Sequence, residues 1–318
     1  MLILKYVTNK LQRIRELKLN KLLSLLPGFD GITLIDIGAA GGLEPRWNQI
    51  AKTLKYIGFE PDVSAHNKLK NKDVECREYN VHPFAVWSEA SRVTINFSKK
   101  PEVSSHFPAN MNFLANFPES DRFEKVRLES VESRTLDSLK IKEPDFIKID
   151  IQGAELHALL GAKETLKFCI GVELEVEFME LYLGQPLFGE IAKYLIDSGF
   201  EFYDFLNLSR WERDSHSGLG QLVFGDALFL RSPENFLTKM QSNQQISTYL
   251  AILALYNRFD VINYIQRNFA FTNNHDYHEF FQVAAKFRNQ LDGVNVIVRV
   301  LNAIIRTVSP NFKLHLIN

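Results

Sequence analysis

Ile32-Thr33-Leu34-Ile35-Asp36-Ile37 is an apolar run broken by a single acid, and Gly38-Ala39-Ala40-Gly41-Gly42 follows it directly. A run that is apolar on both faces reads as a buried parallel strand, and the small residues after it as a tight turn into a helix predicted from Pro45 to Leu54. A second strand, Tyr56-Ile57-Gly58-Phe59, ends at Glu60-Pro61, and the stretch from Val63 to Lys70 reads as its helix. This βαβ alternation predicts a doubly wound, mostly parallel α/β sheet.

Further strand-like runs surround Tyr79, Phe84-Ala85-Val86-Trp87 and Val93 to Phe97, the last two joined by Ser88-Glu89-Ala90-Ser91 as a predicted hairpin. From Lys99 to Glu124 the chain holds Pro101, Pro108 and Pro118 and no period, which reads as a long functional loop. Asp145 to Ile151 is the next strand, with Gln152-Gly153 as its turn and a helix from Ala154 to Leu166. A strand from Cys169 to Glu175, a helix from Leu187 to Ser198 stopped by Gly199, and strands near Phe200 to Phe205 and Ala227 to Leu230 complete the sheet. Beyond Pro233 the apolar spacing is helical, in Ile246 to Tyr256, Val261 to Phe269, Phe280 to Phe287 and Val294 to Ile305. Three parts are expected: an amphipathic N-terminal helix (1–28), an α/β domain (29–232) and a C-terminal α-helical appendage (233–318). The first helix carries Lys10, Arg13, Arg15, Lys18 and Lys21 opposite its leucines. It reads either as docking on an anionic membrane or, the preferred reading, as packing on its own domain.

The chain has 318 residues, enough for one large domain and a smaller one, and its 37 Lys and Arg against 38 Asp and Glu leave a formal charge of −1. No global field favours polyanions, so nucleic acid is not an expected partner. Cys76 and Cys169, both in strand-like surroundings, predict reduced buried thiols and a cytoplasmic location. No apolar stretch approaches membrane-spanning length, and a secretory leader is not evident, so a soluble protein is expected.

Ligands of open α/β sheets sit beyond the carboxyl ends of the strands. Two such ends stand out here. The glycine turn lets a ligand approach the backbone, with Asp36 fixing the turn. Glu60 follows about 20 residues later, the spacing at which an acid accepts from ribose hydroxyls. Together they predict a nucleoside cofactor. Gly38 to Leu43 lacks the G-x-G-x-x-G spacing of dinucleotide sites, and Glu44 would oppose a phosphate at the following helix, so the site suits a cofactor without phosphates.

These residues resemble the FkbM-type methyltransferases. Leu34 to Gly42 is similar to that family's S-adenosylmethionine (SAM) turn, Gly58-Phe59-Glu60-Pro61 to its second-strand acid, and Thr135-Leu136-Asp137-Ser138-Leu139 to its linking motif. The most specific block is Asp145 to Glu155, followed by Gly161-Ala162 and Val172-Glu173. The resemblance covers roughly residues 30–230, and its one departure is Ala40, where the family commonly has Asn. It implies a class I, Rossmann-like SAM fold and methyl transfer to a hydroxyl of a sugar, glycan precursor or related metabolite, hence a place in glycan biosynthesis.

By that resemblance Asp36, Gly38, Ala39 and Gly42 shape the pocket for the methionine part of SAM, Glu60 binds the ribose, and Phe84 and Ala85 flank the adenine. Asp150 stands beside the transferring methyl, and candidates for the general base are Asp150, Glu173 and His106. Lys148 shares the strand face of Asp150, as its neutraliser or as part of a structural salt bridge, and Glu155 charges or caps its helix N-terminus. No Cys/His spacing marks a metal site. Phe107, Phe113 and Phe117 offer aromatic surface to an acceptor or anchor their loop to the core. The alternative is a SAM-fold scaffold without catalysis, with the helical appendage as its interaction surface. That appendage is open to three roles: homodimer formation, a lid, or partner docking.

Overall fold

The computed structural model describes residues 15–213, 218–239, 242–273 and 275–286. Its larger sheet has seven strands, in the order β3 (Glu78–His82), β2 (Leu54–Phe59), β1 (Ile32–Ile37), β7 (Phe146–Ile149), β8 (Gly171–Glu177), β10 (Gln221–Leu230) and β9 (Glu201–Trp211). The first five run parallel; β10 is antiparallel to both β8 and β9. The fold is therefore the expected doubly wound, mostly parallel α/β sheet. Strand order reverses beside β1, so the crevice beyond the carboxyl ends of β1 and β7 is the topological switch point. Every residue of β1 and β7 is buried, Asp36 and Lys148 among them. Ile35, Ile37, Ile147, Ile149, Val172 and Leu174 form the centre of the core.

Local chemistry starts and stops the helices. The helix Val63–Lys70 begins where the Asp62 side chain accepts from the Ala65 N–H at 2.8 Å. The helix Phe188–Asp197 is entered through Glu190, which accepts from the Leu187 N–H, and left through Gly199 at φ +88°. The linking motif has a physical role as well. Leu136 is a core residue, and Asp137 accepts from the backbone N–H groups of Glu164 and Thr165, capping the helix Lys163–Leu166 from 27 positions upstream.

Several expectations are corrected. The runs near Phe84 and Val93 do not form a hairpin. β4 (Ala85–Val86) and β5 (Ser91–Ser98) both pair with β6 (Lys125–Arg134), which lies between them in a separate three-stranded sheet. β6 escapes a pattern search because it has no apolar face: Val126 and Leu128 are 63 % and 57 % exposed. The helix expected from Pro45 to Leu54 is one turn, Pro45–Asn48, followed by a 3₁₀ turn. The helix expected from Ala154 to Leu166 is two, Glu155–Leu160 and Lys163–Leu166. The Lys99 to Glu124 loop carries short helical turns at Pro101–Val103, Met111–Leu114 and Ser120–Phe123. Cys76 lies in a half-buried loop rather than a strand, whereas Cys169 is buried just before β8, and both are free thiols.

The chain divides into two compact units. One holds residues 32–43 and 52–236, with both sheets; the other holds the described parts of 1–31, 44–51 and 237–318. In the helical unit, Leu19, Leu22, Leu23 and Leu26 are buried, the Ser247 hydroxyl donates to the Pro27 carbonyl at 2.6 Å, and Asn20 Nδ2 donates to the Gln49 carbonyl at 2.7 Å. Trp47 meets Tyr256 edge-on, with the Arg46 guanidinium 4.6 Å from the Tyr256 ring centre. The leading helix is thus tied by its apolar face to the elements of its own unit. The helices Asn243–Leu255, Phe259–Asn268 and residues 275–286 follow; the helix expected from Val294 to Ile305 lies outside the described residues. No helix among the described residues is long and apolar enough to cross a membrane.

The break between the two helices after β7 has a cause. A Cβ on Gly161 would stand 1.9 Å from the Trp87 carbonyl oxygen, a backbone atom that cannot yield cheaply. Gly161→Ala should therefore destabilise the protein by roughly 1–3 kcal/mol, read as a lowered thermal midpoint. An unchanged midpoint would contradict this packing.

Candidate active site

The switch-point crevice is built on Gly38. It adopts φ +85°, and a Cβ there would meet the Asp150 carbonyl oxygen at 1.9 Å. The turn after β1 and the turn after β7 are in backbone contact, which only glycine permits. Gly38 N–H donates to Phe59 and Asp150 N–H to Ile37, so the ladder extends into both turns. Gly42 is also left-handed, at φ +73°, and Gly41 has open space where a side chain would project. Ala39, between them, is buried, its Cβ 3.2 Å from where one on Gly58 would fall.

Below the turn, Asp36 pairs in register with Gly58 on β2 and Lys148 on β7, and Lys148 pairs with Glu173 on β8. Paired residues share a sheet face. Asp36 and Lys148 approach to 3.6 Å, and Tyr56 donates its hydroxyl to Asp36 at 2.7 Å. Lys148, expected beside Asp150, makes its salt bridge with Asp36 on the neighbouring strand, as a buried pair.

Glu60 lies just past β2 and is buried. One carboxylate oxygen accepts from the Asp62 N–H at 2.7 Å, and the backbone of Ala40 also favours its ionised form. Burial outweighs both and raises its pKa to about 7. A buried acid beside a glycine turn with open space fits a ribose and a cofactor without phosphates. Phe84 follows β3 and joins the core, its ring 5.5 Å from those of Phe59 and His82, with the Arg134 guanidinium 4.5 Å away. Ala85, beside it, opens β4.

Beyond β7 and β8 the structure assembles groups that the sequence reading did not single out. Gln152, at the strained φ of +56°, donates from Nε2 to Asp150 Oδ1 at 3.0 Å and to Glu175 Oε1 at 2.7 Å. Its Oε1 accepts from the Tyr182 hydroxyl at 2.9 Å. Ile149 is in register with Leu174, so the carboxylate level with Asp150 is Glu175; Glu173 stands one step down, beside Lys148. Glu155 is fully buried and accepts from the N–H groups of Ile151 and Gly153; burial favours its neutral form, so it acts by hydrogen bonding rather than as charge on a helix dipole. Burial and neighbouring acids likewise raise Glu175 and Glu177 well above the carboxylate range. A signal was available: Glu173, Glu175 and Glu177 alternate along a buried strand, which puts all three on one face.

His106 is elsewhere in this unit. Its Nδ1 lies 2.9 Å from the Thr94 carbonyl, and its ring packs 4.6 Å from Trp87, which in turn stacks on His157 at 4.3 Å. It makes no hydrogen bond to Asp150 or Glu173. Among the described residues no three His, Cys, Asp or Glu side chains are placed to hold a metal ion.

The raised pKa of Glu60 has a stability consequence. Its neutral form contributes fully below the ordinary value of about 4.5, and the contribution is lost as pH rises to about 7, a change of about 3 kcal/mol. Glu60→Gln should flatten the fall of the thermal midpoint across that window relative to wild type. Asp145, also raised by burial to about 7, shares the window, so the readout is the difference between the two proteins. Parallel curves would refute the burial argument.

Comparison with known proteins bears on this geometry. The model of the methyltransferase FkbM domain matches residues 36–202. A curated relative, the 2-O-methyltransferase NoeI of Sinorhizobium fredii (strain NBRC 101917 / NGR234), is 27 % identical over 179 residues, 52 % of this chain and 71 % of that one. Among solved structures, the methyltransferase FkbM of Methylobacillus flagellatus KT matches at TM-score 0.39 and 16 % identity, over 65 % of this chain and 45 % of that chain. A SAM-dependent methyltransferase from Aquifex aeolicus matches at TM-score 0.32 and 16 % identity, over 71 % and 97 %. Since the family match spans more than half of the chain, the protein belongs to the FkbM methyltransferase family and takes SAM as its cofactor.

Proposed function

We propose that the protein transfers a methyl group from SAM to a hydroxyl oxygen of a sugar, glycan precursor or related metabolite. The observation that carries this is the contact of the Gly38 and Asp150 turns, which sets a carboxylate-bearing loop against the cofactor turn. The 2-O-methyl activity in the name of the Sinorhizobium relative supports oxygen as the acceptor atom.

When bound, SAM supplies an electrophilic methyl group on a sulfonium. Glu60 holds the ribose hydroxyls; Asp36, Gly38, Ala39 and Gly42 form the pocket for the methionine part; Phe84 and Ala85 border the adenine. Asp150 orients the acceptor hydroxyl and takes its proton as the oxygen accepts the methyl group, work in which a positioned base contributes roughly 10²–10⁴-fold. Gln152 steadies that carboxylate and shares its N–H bonds with Glu175.

Glu60→Ala should weaken SAM and S-adenosylhomocysteine binding by roughly tenfold or more in titration calorimetry, about 1.4 kcal/mol per factor of ten. Wild-type affinity should fall as pH drops below about 7, because protonated Glu60 accepts less well from the ribose. Unchanged affinity in the variant would remove Glu60 from the cofactor site. Asp150→Asn should lower turnover by roughly 10²–10⁴-fold with SAM affinity retained, measured as S-adenosylhomocysteine formed. Full turnover would take Asp150 out of the mechanism.

A further inference from the structure

The second sheet and the loop that joins β5 to β6 line an open cavity of about 500 Å³, within the usual size range of small-molecule sites. None of Asp36, Gly38, Ala39, Gly42, Glu60 or Asp150 lines it. Its walls come from β5, the Lys99 to Glu124 loop and Tyr182, parts of the chain that build none of the seven-stranded sheet. We propose that this cavity is the acceptor subsite and that its occupant is a neutral, hydroxyl-rich ring, a saccharide unit of the molecule being methylated. The inference rests on the O-methyl transfer reading above and extends it to the place where the acceptor is held.

Three features of the walls choose the ligand. Phe107 supplies partly exposed aromatic surface, backed by the buried Phe123 and Tyr182, which suits the apolar face of a sugar ring. Asn96, Ser98 and Ser105 stand among them. Asn96 spends its Nδ2 on the carbonyls of Ser105 and His106, and its Oδ1 accepts from no described residue. A wholly apolar acceptor would bury that oxygen unpaired, at about 1–3 kcal/mol, whereas a sugar hydroxyl would donate to it. The only charged lining residues are Glu124 and Lys125, which cancel. A phosphorylated ligand would call for an excess of cationic groups.

Position ties the cavity to the chemistry. The Ser105 hydroxyl donates to the Gln152 carbonyl at 2.6 Å, and the Tyr182 hydroxyl lies 2.9 Å from Gln152 Oε1 and 3.0 Å from the Val103 carbonyl. Gln152 holds Asp150 and Glu175. Two wall residues therefore bond directly to the side chain or backbone that positions the carboxylates, and Gln152 is the link between this wall and Asp150.

The test is methyl transfer from tritiated SAM to neutral oligosaccharides prepared from the producing organism, using wild type, Ala109→Trp, which fills the cavity, and Phe107→Ala, which removes an aromatic wall at a half-exposed position where loss of folding is not expected. Both variants should lose roughly tenfold or more in kcat/KM, carried by KM in Phe107→Ala, with SAM affinity by calorimetry unchanged. Wild-type kinetics in both variants would overturn the cavity assignment. Wild type that transfers label to none of the oligosaccharides would overturn the saccharide. Failure of the O-methyl reading shows separately, as label carried on a nitrogen or carbon of the product rather than on oxygen.

Discussion

A carbon atom added to Gly38 would stand 1.9 Å from the carbonyl oxygen of Asp150, and that missing carbon is what lets two turns of the sheet touch. β1 and β7 are hydrogen-bonded neighbours, and each ends in a turn that continues the ladder. With any side chain between them the turns would separate, and the crevice at the reversal of strand order would lose its shape. Gly38, Gly42 and the open position at Gly41 let a ligand approach the backbone from above, while the acids at Glu60 and Asp150 approach from the two flanks.

Charge is managed differently below and above that contact. Below it, Asp36 is bonded to Tyr56 and paired with Lys148, so its ionised form is compensated within the sheet. Above it, Glu60, Glu155, Glu175 and Glu177 are acids whose burial favours the neutral state. Acids raised in this way are costly as carboxylates and act in the neutral form as hydrogen-bond partners instead. Gln152 sits where the two regimes meet. Its left-handed backbone is held in place by bonds to Asp150, Glu175 and Tyr182, a strained residue over-determined by its surroundings.

The linking motif and the Gly161-Ala162 pair gain physical content from the same packing. Asp137 caps a helix far ahead of it in the chain, and Gly161 yields space to the Trp87 carbonyl. Neither residue touches the crevice; both fix the elements around it. The loop from Lys99 to Glu124 performs the complementary task. It contributes little to the core of the large sheet and most of the wall of the cavity beside Gln152.

The parallel sheet is legible in the chain alone, because strands buried on both faces are rich in apolar residues and Ile32 to Ile37 and Phe146 to Ile149 are mostly so. The glycine turn is legible too, because close backbone approach demands glycine, and so is the place of Glu60 just past the second strand. The sequence by itself did not determine β6, whose exposed strand carries no periodic apolar signal, nor the pairing of β4 and β5 across it. Nor did it decide which acid stands level with Asp150. That followed from the register of Ile149 with Leu174, a relation between strands more than twenty positions apart, which selects Glu175 and sets Glu173 beside Lys148. Residue type and local spacing are written along the chain, whereas register and the company a buried acid keeps arise only when distant strands meet.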